Sequence, residues 1–141
     1  MGLEELFGRI EKRFGKEAVV GNDIKVDTVS SGSMALDEIL GGGFALGRIH
    51  EIYGGFSSGK SSAALHLSAS VQKTLGKAVG YVDTEQALDL EYAKALGVDL
   101  SRDKWIMSQP DSAEQALEIV REMLEVPEIG LVVLDSVAGL V

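Results

Sequence analysis

The residues best suited to chemistry are Gly54-Gly55-Phe56-Ser57-Ser58-Gly59-Lys60-Ser61, which fit the pattern G-x-x-x-x-G-K-[ST]. Glycines let a backbone curl until successive N–H groups face a polyphosphate. The helix that follows adds the positive end of its dipole, the lysine reaches the β- and γ-phosphates, and the serine hydroxyl meets Mg²⁺. Two acidic positions fit the same chemistry. Asp135 ends the apolar run Leu131-Val132-Val133-Leu134. Alone, such an acid reads as a loop start or a helix cap; beside a phosphate loop it reads as a ligand in the magnesium shell. Glu85 ends Tyr81-Val82-Asp83-Thr84-Glu85. It reads either as a base that orients and deprotonates an attacking water or as a solvent-exposed loop acid.

These residues need a frame, and the apolar pattern supplies one. Residues 48–53 (RIHEIY) read as a strand leading into the glycine-rich turn, and a helix is expected from about Lys60 to Leu75. Ala78–Asp83 is a second strand, Leu88–Leu96 a helix and Lys104–Ser108 a third strand. Asp111 and Glu114 fit a capping box that opens a helix to about Glu125, with the stripe Ala113, Ala116, Leu117, Val120 and Leu124. Residues 129–134 (IGLVVL) have the uninterrupted apolarity of a central parallel strand covered on both faces. Strand and helix alternate, so the fold class is α/β with a mainly parallel sheet flanked by helices, a P-loop NTPase architecture.

Upstream, residues 3–15 read as an amphipathic helix with Leu3, Leu6, Phe7, Ile10 and Phe14 on one stripe, stopped by Gly15. Ile24, Val26 and Val29 suggest a short strand. Ser33 can cap a short helix, MALDEIL, that Gly41-Gly42-Gly43 end. Two segments result: 1–32, an N-terminal helix and strand, and 33–141, the core.

Composition narrows the function further. The 141 residues are 45% hydrophobic and 25% charged, enough for one domain with a core and too apolar for disorder. With no cysteine there is no disulfide scaffold, thiolate metal site or cysteine nucleophile. His50 and His66 have no partner at metal-ligand spacing and read as packing or surface residues, and Trp105 as core. The charge of −9 lies almost wholly in residues 31–141, and no Lys/Arg cluster offsets it, which argues against nucleic-acid binding by this chain. The charged N-terminus has no apolar signal region and no segment is long enough to span a membrane, so the expected location is cytoplasmic.

The motifs also carry a resemblance. RIEKRFGK, SSGSMALDEILGGGFALGRIHEIYG, SSGKSS, VDTEQALDLEYAKALGVDL, SQPDSAEQALEI and VVLDSVAGLV resemble segments of the bacterial RecA recombinases, in order and over nearly the whole chain. The resemblance implies the ATP-binding core of a DNA-dependent ATPase of recombination and repair. Its cofactors would be ATP and Mg²⁺. Nucleotide binding would fall to Gly54, Gly55, Phe56, Ser57, Ser58, Gly59, Lys60, Ser61 and Ser62. Ser61 and Asp135 would serve the metal, Lys60 and Glu85 catalysis, and Asp89 and Tyr92 the adenine, with the Tyr92 ring stacked on the base. Residues 3–14 would dock on a neighbouring subunit.

The chain also departs from that pattern. Gly55-Phe56 stands where the family usually has Pro-Glu, Thr84 where it has Ala, and Gln86 where it has His. Relative to the family, the sequence stops after the strand of Asp135. Two DNA-binding loops, a strand with a γ-phosphate-sensing glutamine and a C-terminal domain are not in it. The resemblance therefore implies a truncated piece that binds MgATP but hydrolyses it, and binds single-stranded DNA, weakly or not at all. The other reading is an engineered or fragment nucleotide-binding or assembly module without catalysis. Either another chain completes the sheet, or its strands close up and residues 48–53 pair directly with 129–134.

Overall fold

The computed structural model describes residues 2–19 and 25–140. Its elements are α1 (Leu3–Phe14), β1 (Thr28–Val29), α2 (Met34–Ile39), β2 (Phe44–Ala45), α3 (Lys60–Leu75), β3 (Ala78–Asp83), α4 (Leu90–Ala95), β4 (Trp105–Ser108), α5 (Ala113–Leu124) and β5 (Ile129–Asp135), with short 3₁₀ turns at Lys16–Ala18 and Val137–Leu140. The fold is α/β. A parallel sheet runs in the order β4-β3-β5, and β1 pairs with β2 in a separate antiparallel ladder.

Every residue of β3 is buried, because its alternating side chains feed two cores. Val79 and Tyr81 enter one with Leu65, Leu67 and Val71 of α3, Ala93 of α4, and Val29 and Phe44 of β1 and β2. Val82 enters the other with Ala116 and Met123 of α5. Gly80 faces α5 as well, where a Cβ would come within 2.5 Å of the Met123 sulfur. Three layers result, with α3 and α4 on one face of the sheet and α5 on the other.

Local signals set most boundaries. Gly76, in the left-handed conformation at φ 67°, ends α3. Ser33 caps α2 as expected, accepting from the Leu36 N–H at 3.5 Å. Asp89 caps α4, so that helix begins later than expected. The opening of α5 is displaced by one residue from the expected Asp111/Glu114 box. Ser112 accepts from the Gln115 N–H at 3.2 Å, and Gln115 Oε1 accepts from the Asp111 N–H at 2.8 Å. Asp111/Glu114 and Ser112/Gln115 share the three-residue spacing of a box, but the Ser112 hydroxyl is the one that meets a free N–H of the first turn.

Several expectations are corrected. Residues 48–53 form no strand. A strand exists only through ladder bonds to a neighbour, and among the described residues 48–58 make no backbone–backbone hydrogen bond. Ile49 is fully exposed. The sheet does not close up, since β5 pairs with β3 alone. For the same reason β5 is half-buried throughout rather than covered on both faces. The stripe of α5 also differs: Ala116, Ile119, Val120 and Met123 pack inward, while Leu117 and Leu124 are exposed. Upstream, Val26 lies outside the two-residue β1 and Ile24 outside the described residues. No residue of α1 is buried, and Leu3, Phe7 and Phe14 present an exposed apolar stripe.

Candidate functional site

In parallel sheets, ligands gather beyond the carboxyl ends of the strands. There a cavity of about 180 Å³ collects Ser61 from the start of α3, Asp83 and Glu85 from the end of β3, Asp89 and Tyr92 from α4, and Asp135 from the end of β5. Five of the residues singled out from the sequence thus share one space; Asp83 is an addition. A larger cavity, of about 390 Å³, lies at the opposite end of the sheet. Its Lys77 and Lys104 ammoniums are committed to the carbonyls of Pro127 and Gly76, at 2.8 and 2.6 Å.

The glycine-rich turn enters α3 through two residues with positive φ, Ser57 at 55° and Gly59 at 89°. Gly54 packs close to Ser58, whose Oγ would lie 2.8 Å from a Cβ there and would have to rotate aside. The Lys60 ammonium folds back and donates to the carbonyls of Gly54 and Gly55, at 3.2 and 2.9 Å. The first bond of α3 runs from the Ala63 N–H to the Gly59 carbonyl, so the N–H groups of Lys60, Ser61 and Ser62 have no acceptor within the helix. Of the turn and the first residues of α3, Ser61 lines the cavity, while Gly54, Gly55, Phe56, Ser57, Ser58, Gly59, Lys60 and Ser62 lie outside its lining, with the Phe56 ring wholly in solvent.

Opposite this turn, register aligns the acids. Asp83 stands across from Asp135 in the β3–β5 ladder. Asp83 Oδ2 accepts from the Leu88 N–H and from Gln109 Nε2, both at 3.1 Å. Asp135 Oδ2 accepts from the Tyr81 hydroxyl at 2.7 Å. Burial, then the hydrogen bond and charge of Asp135, push the Tyr81 phenol far above its ordinary pKa, so it remains a donor.

The next residues are tied across the strands as well. The Thr84 N–H donates to the Asp135 carbonyl at 2.9 Å. Thr84 Oγ1 donates to the Ser136 carbonyl at 2.7 Å and accepts from the Ser136 N–H at 2.9 Å. Ser136 Oγ in turn donates to Glu85 Oε1 at 2.5 Å. Glu85 and Asp135 are therefore held by one cross-strand network, with Glu85 exposed and Asp135 half-buried. On the α4 side, Asp89 Oδ1 accepts from the Tyr92 N–H at 3.0 Å, and the Tyr92 hydroxyl is 3.1 Å from Ser62 Oγ.

Sequence reasoning missed Tyr81, Asp83, Gln109 and Ser136 as parts of this site. Tyr81 and Asp83 lie two apart on β3, a spacing that puts both on one face of the strand. The partners on β5 and Gln109 become visible only through register. The histidines lie outside the cavity lining: His50 Nε2 is 2.8 Å from the Ala45 carbonyl and its ring meets Phe44 edge-on, and His66 is exposed.

A family model described as the RecA N-terminal domain matches residues 2–141. Proteins named RecA from Acholeplasma laidlawii, Arthrospira platensis and Lactobacillus delbrueckii subsp. bulgaricus are 49, 50 and 51% identical, each over 99% of this chain. The alignments cover 43, 38 and 43% of those relatives, so the chain spans about two fifths of their length. By this match over nearly its whole length, the chain belongs to the RecA family, represented by the family's N-terminal domain.

Proposed function

We propose that this chain is an ATP-binding module of RecA type. The observation that carries the reading is the shared cavity: the Ser61 at the head of α3 faces two strand-end carboxylates, Glu85 and Asp135, across about 180 Å³. In this reading the backbone of Gly54–Gly59 cradles the phosphates and Lys60 moves from the loop carbonyls to the β- and γ-phosphates. Ser62 hydrogen-bonds nearby. Asp89 and Tyr92 take the adenine, the half-exposed Tyr92 ring offering it a stacking face.

The donor set suits Mg²⁺. Among the described residues there is no group of three His, Cys, Asp or Glu that could hold a metal ion. Mg²⁺ needs no such cage; it keeps several waters and takes one or two protein oxygens plus phosphate oxygens. Ser61 and Asp135 would provide those oxygens, and the bound ion would neutralise charge on the phosphates. Glu85, at the cavity wall, would orient water for phosphoryl transfer. Binding is the activity assigned here to residues 33–141. Hydrolysis, contact with single-stranded DNA and a part in recombination and repair are assigned to the longer proteins of the family. The acidic surface agrees with that division. The location proposed is the cytoplasm; among the described residues no helix is long and apolar enough to cross a membrane.

Calorimetric titration tests the reading. ATP with Mg²⁺ should give saturable one-site binding, weakened about tenfold or more when EDTA removes the metal. No saturable heat with MgATP would overturn it.

A specific observation favours self-association as well. The exposed stripe on α1 is the kind of helix face that a neighbouring copy covers. Residues 1–32 are therefore assigned to subunit docking. Deleting residues 3–14 should abolish any species larger than a monomer in sedimentation velocity; an unchanged distribution would remove this role.

A further inference from the structure

We infer that Tyr81 is a positioning residue for the metal-shell carboxylate, its hydroxyl holding one oxygen of Asp135 so that the other is presented to the cavity beside Ser61. The inference rests on the MgATP reading and adds a residue to it. Tyr81 is fully buried and its ring packs on Trp105, with centroids 5.2 Å apart, so the phenol cannot swing away from β5. The hydroxyl crosses from β3 to a carboxylate two rungs further along the neighbouring strand and donates to Oδ2 at 2.7 Å. Among the described residues Asp135 Oδ1 accepts no side-chain or backbone hydrogen bond, and Asp135 lines the same cavity as Ser61.

An aspartate at a strand end has several side-chain orientations of similar energy. A charge-assisted O–H···O⁻ bond from a rigid donor selects one of them. Asp83, the facing acid, is fixed by different donors, the Leu88 N–H and the Gln109 amide. Removing the Tyr81 hydroxyl therefore releases Asp135 alone. Phenylalanine fills the same space in the core, so packing against Trp105 and α3 survives the change.

Calorimetry of Tyr81→Phe, with ATP in EDTA and with ATP plus Mg²⁺, tests this. Affinity in EDTA should equal that of the unsubstituted chain, while the gain conferred by Mg²⁺ should fall about tenfold, the usual effect of removing a group that orients a metal ligand. In an Asp135→Asn background the same substitution should have no further effect on that gain. A purely structural tyrosine would lower the melting temperature and leave the Mg²⁺ gain intact, which would overturn the inference while leaving MgATP binding in place. Equal weakening with and without Mg²⁺ would overturn it too. If the unsubstituted chain binds no ATP under either condition, the MgATP reading itself falls and takes this inference with it.

Discussion

Lys60→Ala is expected to lower affinity for MgATP by about a hundredfold or more, beyond detection in an ordinary calorimetric titration. The lysine places a compact positive charge at the turn, on a stem long enough to reach phosphates held at the head of α3. Charge-assisted hydrogen bonds contribute about 1.5–3 kcal/mol each, and two to phosphate oxygens correspond to the stated loss. The ammonium now bonds to the Gly54 and Gly55 carbonyls, which shows that it sits over the turn rather than in solution. Those bonds are exposed, so the alanine variant should melt close to the unsubstituted chain. A variant that folds and retains its affinity would defeat the assignment of the turn as a phosphate site.

The largest loss of stability is expected from Gly43→Ala. Gly43 has φ 118°, a conformation that side-chain-bearing residues rarely adopt. A Cβ there would also fall 2.2 Å from the Val29 carbonyl oxygen and 2.8 Å from its carbon, and both belong to backbone that cannot rotate aside. Val29 pairs with Phe44, and both are buried under α3 in the main core, so pushing the strands apart opens that core. Backbone strain and lost packing together should cost about 3 kcal/mol or more, read as a fall in the denaturant midpoint. Gly41→Ala is the control. Its φ is also positive, at 73°, but nothing lies within 4 Å of a Cβ, so about 1–2 kcal/mol is expected. If Gly43→Ala were no worse than Gly41→Ala, the close contact would carry no weight.

What the sequence made legible was local. The limits of α3 follow from Gly59 before it and Gly76 after it, and β3 falls on its apolar run to the residue. The chemistry-bearing types were legible because phosphate, magnesium and water each demand particular groups at short spacing. Misreadings arose where the deciding partner is distant. Residues 48–53 have strand character but no neighbour to bond to among the described residues. On α5, two apolar stripes compete, and only contact with β5 and Gly80 selects Met123 over Leu124. The bond between Tyr81 and Asp135 joins residues 54 apart, through a register that no local pattern encodes.

The two halves of the site differ in how firmly they are built. The acid-bearing half stands on two paired strands, β3 buried along its full length and β5 bonded to it, whereas the lysine-bearing turn hangs from residues 48–58, which lack any main-chain ladder. A nucleotide would thus meet a fixed anvil on one side and a pliant strap on the other. Tightening the strap consumes part of the binding free energy as lost chain entropy. Whatever splints residues 48–53 in advance would therefore tighten nucleotide binding without touching the nucleotide.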